Sequence, residues 1–439
     1  MKIAIVCVFL LSVLTFPALT ASPTAKPEEV GVSSERLQRI NQMVERHIAA
    51  GDIAGAVTIV ARKGKVVHHS AQGVMDLQSK QPMSSASMFR IASMTKMVAT
   101  VAALQLVERG QLDLDDPIET YLPEFGELQV LEGFDGDTPR LRAPASKATV
   151  RHLVTHTSGL TYWFWNADMA RWHEVTGTPN VLSGSMEIFK APLVADPGSR
   201  YEYGINTDWL GRVVEAAGGL SLRDHMQQHI LDPLGMGSTT FLMDDEQRAH
   251  CVPIHVRGED GAWTATDIDW SQEPEWWAGG HGLYSTPNDY LRFQRMLLCG
   301  GTLDGQKILE RATVEAAFRN EIGELEFPAH IATADPGSTC DFDAGPGLKW
   351  GLGLLLTTDG AEGMRATGSG AWAGLFNTHF WVDPASGVTG AVYSQSLPFV
   401  EPRVFAVYEG FESALYASLA EQPVERRFTR EGARTEEPV

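Results

Sequence analysis

Strand-like patterning falls at the two ends of this chain, with a long helical stretch between them, and no other feature limits its possible folds as much. Ala56 to Arg62 and Val66 to Ser70 have the composition of strands and are joined at Lys63-Gly64-Lys65, a hairpin signal. Near the other end, tryptophan and glycine punctuate three further strand-like runs, Trp350 to Leu356, Thr378 to Val382 and Gly387 to Ser394. Between them, apolar spacing predicts helices at Phe89 to Arg109, Ala148 to Val154, Asn206 to Ala217, Leu222 to Ile230 and Pro287 to Leu298. Asp113 to Phe125 is loop-like, broken by Pro117 and Pro123. Two more helices bracket the whole: Arg36 to Ala49, with Leu37, Ile40, Met43, Val44 and Ile48 on one face, and Phe405 to Leu419. Strands need paired neighbours and a covered face, so those from both ends are expected in one sheet, with the helical middle inserted as a lobe. The expected class is therefore α/β of the α+β type: one domain over about 30–420, its sheet lobe drawn from about 30–75 and 345–420.

The outermost residues are read separately. Lys2 precedes a run of 14 residues, Ile3 to Phe16, interrupted only by Ser12 and Thr15 and followed by the small residues Ala18 and Ala21. That is shorter than the ~20 apolar residues that span a bilayer. It has the form of a secretory signal over residues 1–21, so the mature chain is expected to be periplasmic or secreted, with no membrane insertion. Glu421 to Val439 is charge-dense and is expected to be a solvated tail. With 55 acidic residues against 35 basic, the formal charge is −20, which repels phosphate backbones and argues against nucleic acid as a partner. Cys7 lies in the signal run, leaving Cys251, Cys299 and Cys340, so at most one disulfide can form within a monomer. The core, not covalent staples, must hold the fold.

Most catalytic signatures are absent: there is no G-x-S-x-G, no H-E-x-x-H and no Walker A loop. His68-His69 is the only histidine pair, and adjacent residues of a strand point to opposite faces, so the pair cannot chelate one ion together and no metal site is expected. Ser93-Met94-Thr95-Lys96 is the only S-x-x-K. Three residues apart on a helix, a hydroxyl and an amine share one face. The amine can take the serine proton once burial or nearby positive charge lowers its affinity for its own, and the apolar run Met97 to Leu106 makes burial credible. Seven of the eleven tryptophans (Trp163, Trp165, Trp172, Trp263, Trp270, Trp276 and Trp277) fall in two loop regions. They either wall an apolar substrate pocket or pack loops onto the helical lobe.

Phe89-Arg90-Ile91-Ala92 before the serine, Leu153 to Leu160 (LVTHTSGL), Gln111 to Phe125 (QLDLDDPIETYLPEF) and Gly279 to Gly305 occur in an order that resembles the serine β-lactamase-like hydrolases. That superfamily includes class C β-lactamases, DD-peptidases and family VIII carboxylesterases. The resemblance covers the chain from the hairpin to the closing helix. It implies a β-lactamase/transpeptidase-like fold and a nucleophile at Ser93, with Lys96 beside it. Tyr203, followed at the carboxylesterase spacing by Asp208, Leu210 and Gly211, takes the place of the family's catalytic tyrosine. A phenol beside an ammonium can ionise below its ordinary value of about 10, so Lys96 and Tyr203 are expected to share one proton. Counting back from Thr378 to Pro384 sets Trp372-Ala373-Gly374 at the family's third motif, with Gly368-Ser369-Gly370 as the competing register. The implied oxyanion hole is the amides of Ser93 and Leu375.

Two departures favour the esterase branch. Ile205 stands where an Asn would bind a β-lactam's amide side chain, and Trp372 stands where a lysine would grip its carboxylate. The expected activity is hydrolysis of a small-molecule carboxylic ester through an acyl-enzyme on Ser93, with Lys96 and Tyr203 as general base and acid, and with Ile205, Trp372, Ala373 and Gly374 against the substrate. The serine chemistry implied by the resemblance needs no cofactor, and none is expected. The alternatives are a β-lactamase or D-amino-acid peptidase and, outside turnover chemistry, a penicillin-binding sensor.

Overall fold

The computed structural model describes residues 22–258 and 261–419. The expected signal segment, 1–21, and the charged tail, 421–439, lie outside the described residues. Ser33 caps the first helix, α1 (Ser34–Ala49), its hydroxyl accepting the Arg36 N–H at 3.3 Å. The expected hairpin follows as β1 (Gly55–Arg62) and β2 (Lys65–Gly73). Within the lobe, the principal helices are α2 (Thr95–Glu108), α3 (Asn206–Gly218) and α4 (Pro287–Leu298). The chain then returns to the sheet through two short strands, β3 (Lys349–Trp350) and β4 (Leu355–Leu356). Three longer ones follow: β5 (Gly370–Gly374), β6 (Thr378–Asp383) and β7 (Val388–Tyr393). Helix α5 (Pro402–Ser418) closes the fold.

The seven strands form one antiparallel sheet in the order β3-β4-β5-β6-β7-β1-β2. The N-terminal hairpin is thus docked on the last strand of the C-terminal meander, and both chain ends build a single sheet. Every residue of β1 is buried, as a central strand covered on both faces requires. Val57, Ile59 and Ala61 face the core shared with α4 and the helical lobe, while Ala56 and Val60 face the core under α1 and α5. Helix α2 lies in the larger core with Thr95 to Leu106 all buried, the fate of a helix apolar all round.

Three expectations are corrected. The helix expected from Phe89 begins only at Thr95: Phe89–Arg90 pairs as a short strand with Tyr284–Ser285, and Ala92–Met94 is a 3-10 turn entered through left-handed backbone at Ala92 (φ 45°). Tertiary contacts override local propensity here, because the Gln395 side-chain amide brackets Arg90, accepting its N–H and donating to its carbonyl, both at 3.1 Å. Trp350 to Leu356 is two strands separated by a turn rather than one run. Hairpins Val130–Asp135/Thr138–Arg142 and Ile254–Arg257/Trp263–Thr266 add strand within the lobe that apolar spacing did not signal. Cys251, Cys299 and Cys340 are free thiols. Among the described residues no helix is long and apolar enough to cross a membrane, and no group of three or more His, Cys, Asp or Glu could hold a metal.

Candidate active site

Ser93 sits in the 3-10 turn that feeds α2, next to the left-handed Ala92. Strained backbone of this kind recurs where a nucleophile must be held out from its element. One turn on, Lys96 is 1% exposed and its Nζ has three partners: Ser93 Oγ at 3.0 Å, Tyr162 Oη at 3.0 Å and the Gly280 carbonyl at 2.7 Å. Burial, opposed by the negative charge of Asp208, pulls the amine down from its ordinary 10.5 to about 7. A neutral amine has two hydrogens, which the Gly280 and Tyr162 oxygens accept, and one lone pair, left for the Ser93 hydroxyl.

Asp208 acts on this arrangement from behind. Its carboxylate is fully buried, burial pushes its pKa up, and Oδ1 accepts the Gly280 N–H at 2.7 Å. The carboxylate therefore anchors the backbone at Gly280, whose carbonyl accepts from Lys96. His281 Nδ1 lies 3.8 Å from the same oxygen.

Tyr203 reaches the site because two segments interlock. A methyl at Gly204 would lie 2.3 Å from Thr161 Cα, so only glycine allows this approach. Asn206 clamps the crossing, its amide donating to the Leu160 and Glu202 carbonyls at 3.2 and 3.1 Å while its oxygen accepts the Ser158 hydroxyl at 2.5 Å. The Tyr203 oxygen accepts the Trp372 indole N–H at 3.1 Å, and the Lys96 Nζ lies 4.8 Å from the ring centre. The expected lowering of the phenol does not occur. Burial raises it well above its ordinary value, and the polar side chains of Ser93 and Trp372 only partly oppose this. Burial thus favours the uncharged form of both groups, and it is Lys96, not Tyr203, whose basic form is made available.

The third segment arrives on β5, in the register Trp372↔Phe380, Ala373↔His379 and Gly374↔Thr378. A methyl at Gly374 would lie 2.4 Å from the Ile91 carbonyl oxygen, so the glycine lets the strand close on the segment before Ser93. Leu375 follows, its N–H without an acceptor among the described residues. Ser93, Tyr203, Trp372, Ala373, Gly374 and Leu375 all line one cavity of about 250 Å³. The competing triplet Gly368-Ser369-Gly370 does not. Phe164, Trp165, Phe327, Leu348 and Leu355 make much of the remaining wall apolar.

Two selected residues are not in this lining: Lys96, which lies buried behind Ser93, and Ile205. Ile205 is buried in the main core at the start of α3 and faces a small separate crevice with Tyr162 and Trp163. Of the seven loop tryptophans only Trp165 lines the Ser93 cavity. Trp270, Trp276 and Trp277 surround a second space of about 30 Å³, and Trp263 packs under Arg257, so loop packing accounts for most of them. Tyr162, Asp208 and Gly280 surround Lys96 without having been selected as site residues. Each lies in or beside a segment that carried the resemblance, but no spacing rule points from any of them to an amine elsewhere in the chain.

A family model described as Beta-lactamase matches residues 40–414. Lovastatin esterase of Penicillium rubens is 33% identical over 359 residues, covering 78% of this chain and 89% of that protein. Monacolin J acid methylbutanoyltransferase of Aspergillus terreus is 32% identical over 349 residues, covering 75% and 81% respectively. The solved structure of unliganded simvastatin synthase from Aspergillus terreus matches with a TM-score of 0.76 at 27% identity, over 89% of this chain and all of that one.

Proposed function

This chain belongs to the beta-lactamase family, among its serine hydrolases and acyltransferases, and we propose that it is a carboxylesterase working through an acyl-enzyme on Ser93. The observation that carries this reading is the Lys96 amine, buried, brought toward neutrality and 3.0 Å from a serine hydroxyl that lines an apolar cavity. Ser93 Oγ attacks the ester carbonyl carbon as its proton passes to Lys96 Nζ, and the carbonyl oxygen takes up the negative charge facing the Ser93 and Leu375 amides. Collapse breaks the bond to the alcohol oxygen, which receives a proton from the Lys96–Tyr203 pair, Tyr203 being protonated in the resting enzyme. Water then attacks the acyl carbon and gives up a proton to the same pair; collapse breaks the bond to Ser93 Oγ, which takes that proton back as the carboxylic acid leaves.

The uncharged Trp372 indole on the cavity wall supports an ester over a β-lactam, since no cation stands at that position to grip a carboxylate. A second reading is favoured by the relatives named as acyltransferases, the methylbutanoyltransferase among them: an alcohol rather than water could accept the acyl group here. The signal-like residues 1–21 support export, which the mass of the mature protein's N-terminus would test.

The test is a panel of p-nitrophenyl esters and nitrocefin, with and without an added alcohol, on wild type and Ser93→Ala. Ester turnover lost in the variant is expected. Retained turnover would overturn the mechanism, faster nitrocefin turnover would favour the β-lactamase, and a stable adduct without turnover would favour a sensor.

A further inference from the structure

The cavity that opens at Ser93 continues past Trp372. Its lining includes Trp372 and Gly374, but also Ala371, Ala373 and His379. Successive strand residues point to opposite faces of a sheet, and His379 is the register partner of Ala373. Trp372 and Gly374 therefore belong to the catalytic face, and Ala371, Ala373 and His379 to the face covered by α5, where Ala371 packs in the second core. A single space touches both faces only by passing round an edge. The register supplies that edge: β4 pairs with β5 at Gly370 and Ala371 alone, leaving 372–374 open on that side.

The segment before β3 roofs the gap, with Phe342, Ala344 and Leu348 as wall, and is tied down by the Cys340 N–H to the Phe399 carbonyl at 2.9 Å. At the inner end stand Phe405 and Tyr408 of α5, together with Arg365 and His379. Arg365 is paired, its Nε donating to Glu412 at 2.7 Å. His379 is not. It is 4% exposed, its Nε2 has no partner among the described residues, and its ring stacks on Tyr408 at 4.4 Å and 17°. Burial keeps this imidazole neutral at ordinary pH, so it offers one donor and one acceptor.

We propose that the space behind β5 is an acyl-chain subsite that takes a medium-length aliphatic acyl group whose far end carries a hydroxyl, hydrogen-bonded to His379. The proposal rests on the reading of Ser93 as the acylated residue. The acyl group is assigned to it because the alcohol must leave and water enter in every cycle, whereas the acyl group stays through both steps and suits a chamber whose far end is walled by Phe405, Tyr408, Arg365 and the buried His379. At the ~30 Å³ that a water occupies in the liquid, the cavity's 250 Å³ holds on the order of eight heavy atoms.

The experiment compares kcat/KM for p-nitrophenyl acetate, octanoate and 8-hydroxyoctanoate in wild type, Ala344→Phe and His379→Phe, with Leu348→Phe as a second filling variant should the first not fold. Filling the chamber should lower the octanoate value by about tenfold and leave acetate within about twofold. Wild type should prefer 8-hydroxyoctanoate to octanoate by about 2- to 10-fold, the worth of one neutral hydrogen bond, and His379→Phe should lose that preference. An octanoate-to-acetate ratio unmoved by filling overturns the chamber, and an unmoved hydroxyl preference in His379→Phe overturns its polar end. Calorimetric binding of 8-hydroxyoctanoate to Ser93→Ala, weakened when Ala344→Phe is added, is a readout independent of turnover. If that binding is seen while no ester is hydrolysed, the esterase reading falls and the chamber stands; if binding and chain-length dependence are both absent, the chamber falls.

Discussion

Gly374→Ala probes the approach of β5 to the nucleophile with a single methyl. Its Cβ would lie 2.4 Å from the Ile91 carbonyl oxygen, where ordinary contact begins at 3.4 Å, so strand and turn must separate by about 1 Å. The opposite escape is narrowed by Thr378 Oγ1, also at 2.4 Å. Leu375 is the next residue and moves with the strand. An N–H about 2.9 Å from the developing oxyanion would then stand near 3.9 Å, outside hydrogen-bond range. Loss of one such donor costs about 10²–10³ in kcat, and overpacking of this kind costs about 1–3 kcal/mol of stability. The expected result with p-nitrophenyl acetate is kcat lower by about 100-fold with KM within a few-fold, because the donor matters most once charge has developed. Gly337→Ala, whose Cβ would meet only Asp335 Oδ1 at 3.4 Å, is the control and should change neither. A folded Gly374→Ala enzyme with kcat within about threefold of wild type would refute both the steric argument and the placement of the oxyanion hole.

Three further outcomes follow from buried charge. Attack requires neutral Lys96, so kcat/KM should fall about tenfold per pH unit below about pH 6 and level off above about pH 8, around a limb near 7. Burial disfavours the ammonium while Asp208 favours it, so Asp208→Asn should move that acid limb to lower pH; a move to higher pH, or none, would contradict the assignment. Separately, Glu412→Gln leaves the buried Arg365 guanidinium without its anion and should cost about 3–5 kcal/mol in urea unfolding, whereas a loss under about 1 kcal/mol would show the pair to be solvated.

The parts legible in the amino-acid sequence are those set by short-range geometry. The β1–β2 hairpin and helices α1 and α4 follow from local patterning, and the Ser93–Lys96 pair from two side chains one helical turn apart. Tyr203 and the Trp372 triplet were legible only through resemblance, because nothing in their spacing ties them to Ser93. The strand holding Trp372 is a glycine- and alanine-rich run of low β propensity, made a strand by its pairing with β6. Phe89–Arg90 is extended because of a glutamine some 300 positions later, which no local pattern contains.

Composition and periodicity, by themselves, determined a sheet drawn from both chain ends around a helical insertion, together with one hydroxyl–amine pair of possible catalytic use. Packing alone decided which of those groups carries the proton. The affinity of Lys96 for its proton depends on water excluded by residues scattered over the chain and on Asp208, Tyr162 and Gly280 gathered round one nitrogen. Packing also opened the chamber behind β5, which exists because β4 stops pairing after Ala371. Desolvation and empty space belong to the assembled molecule: both are set by what surrounds a residue in three dimensions, and covalent order constrains that only within a turn or two of chain.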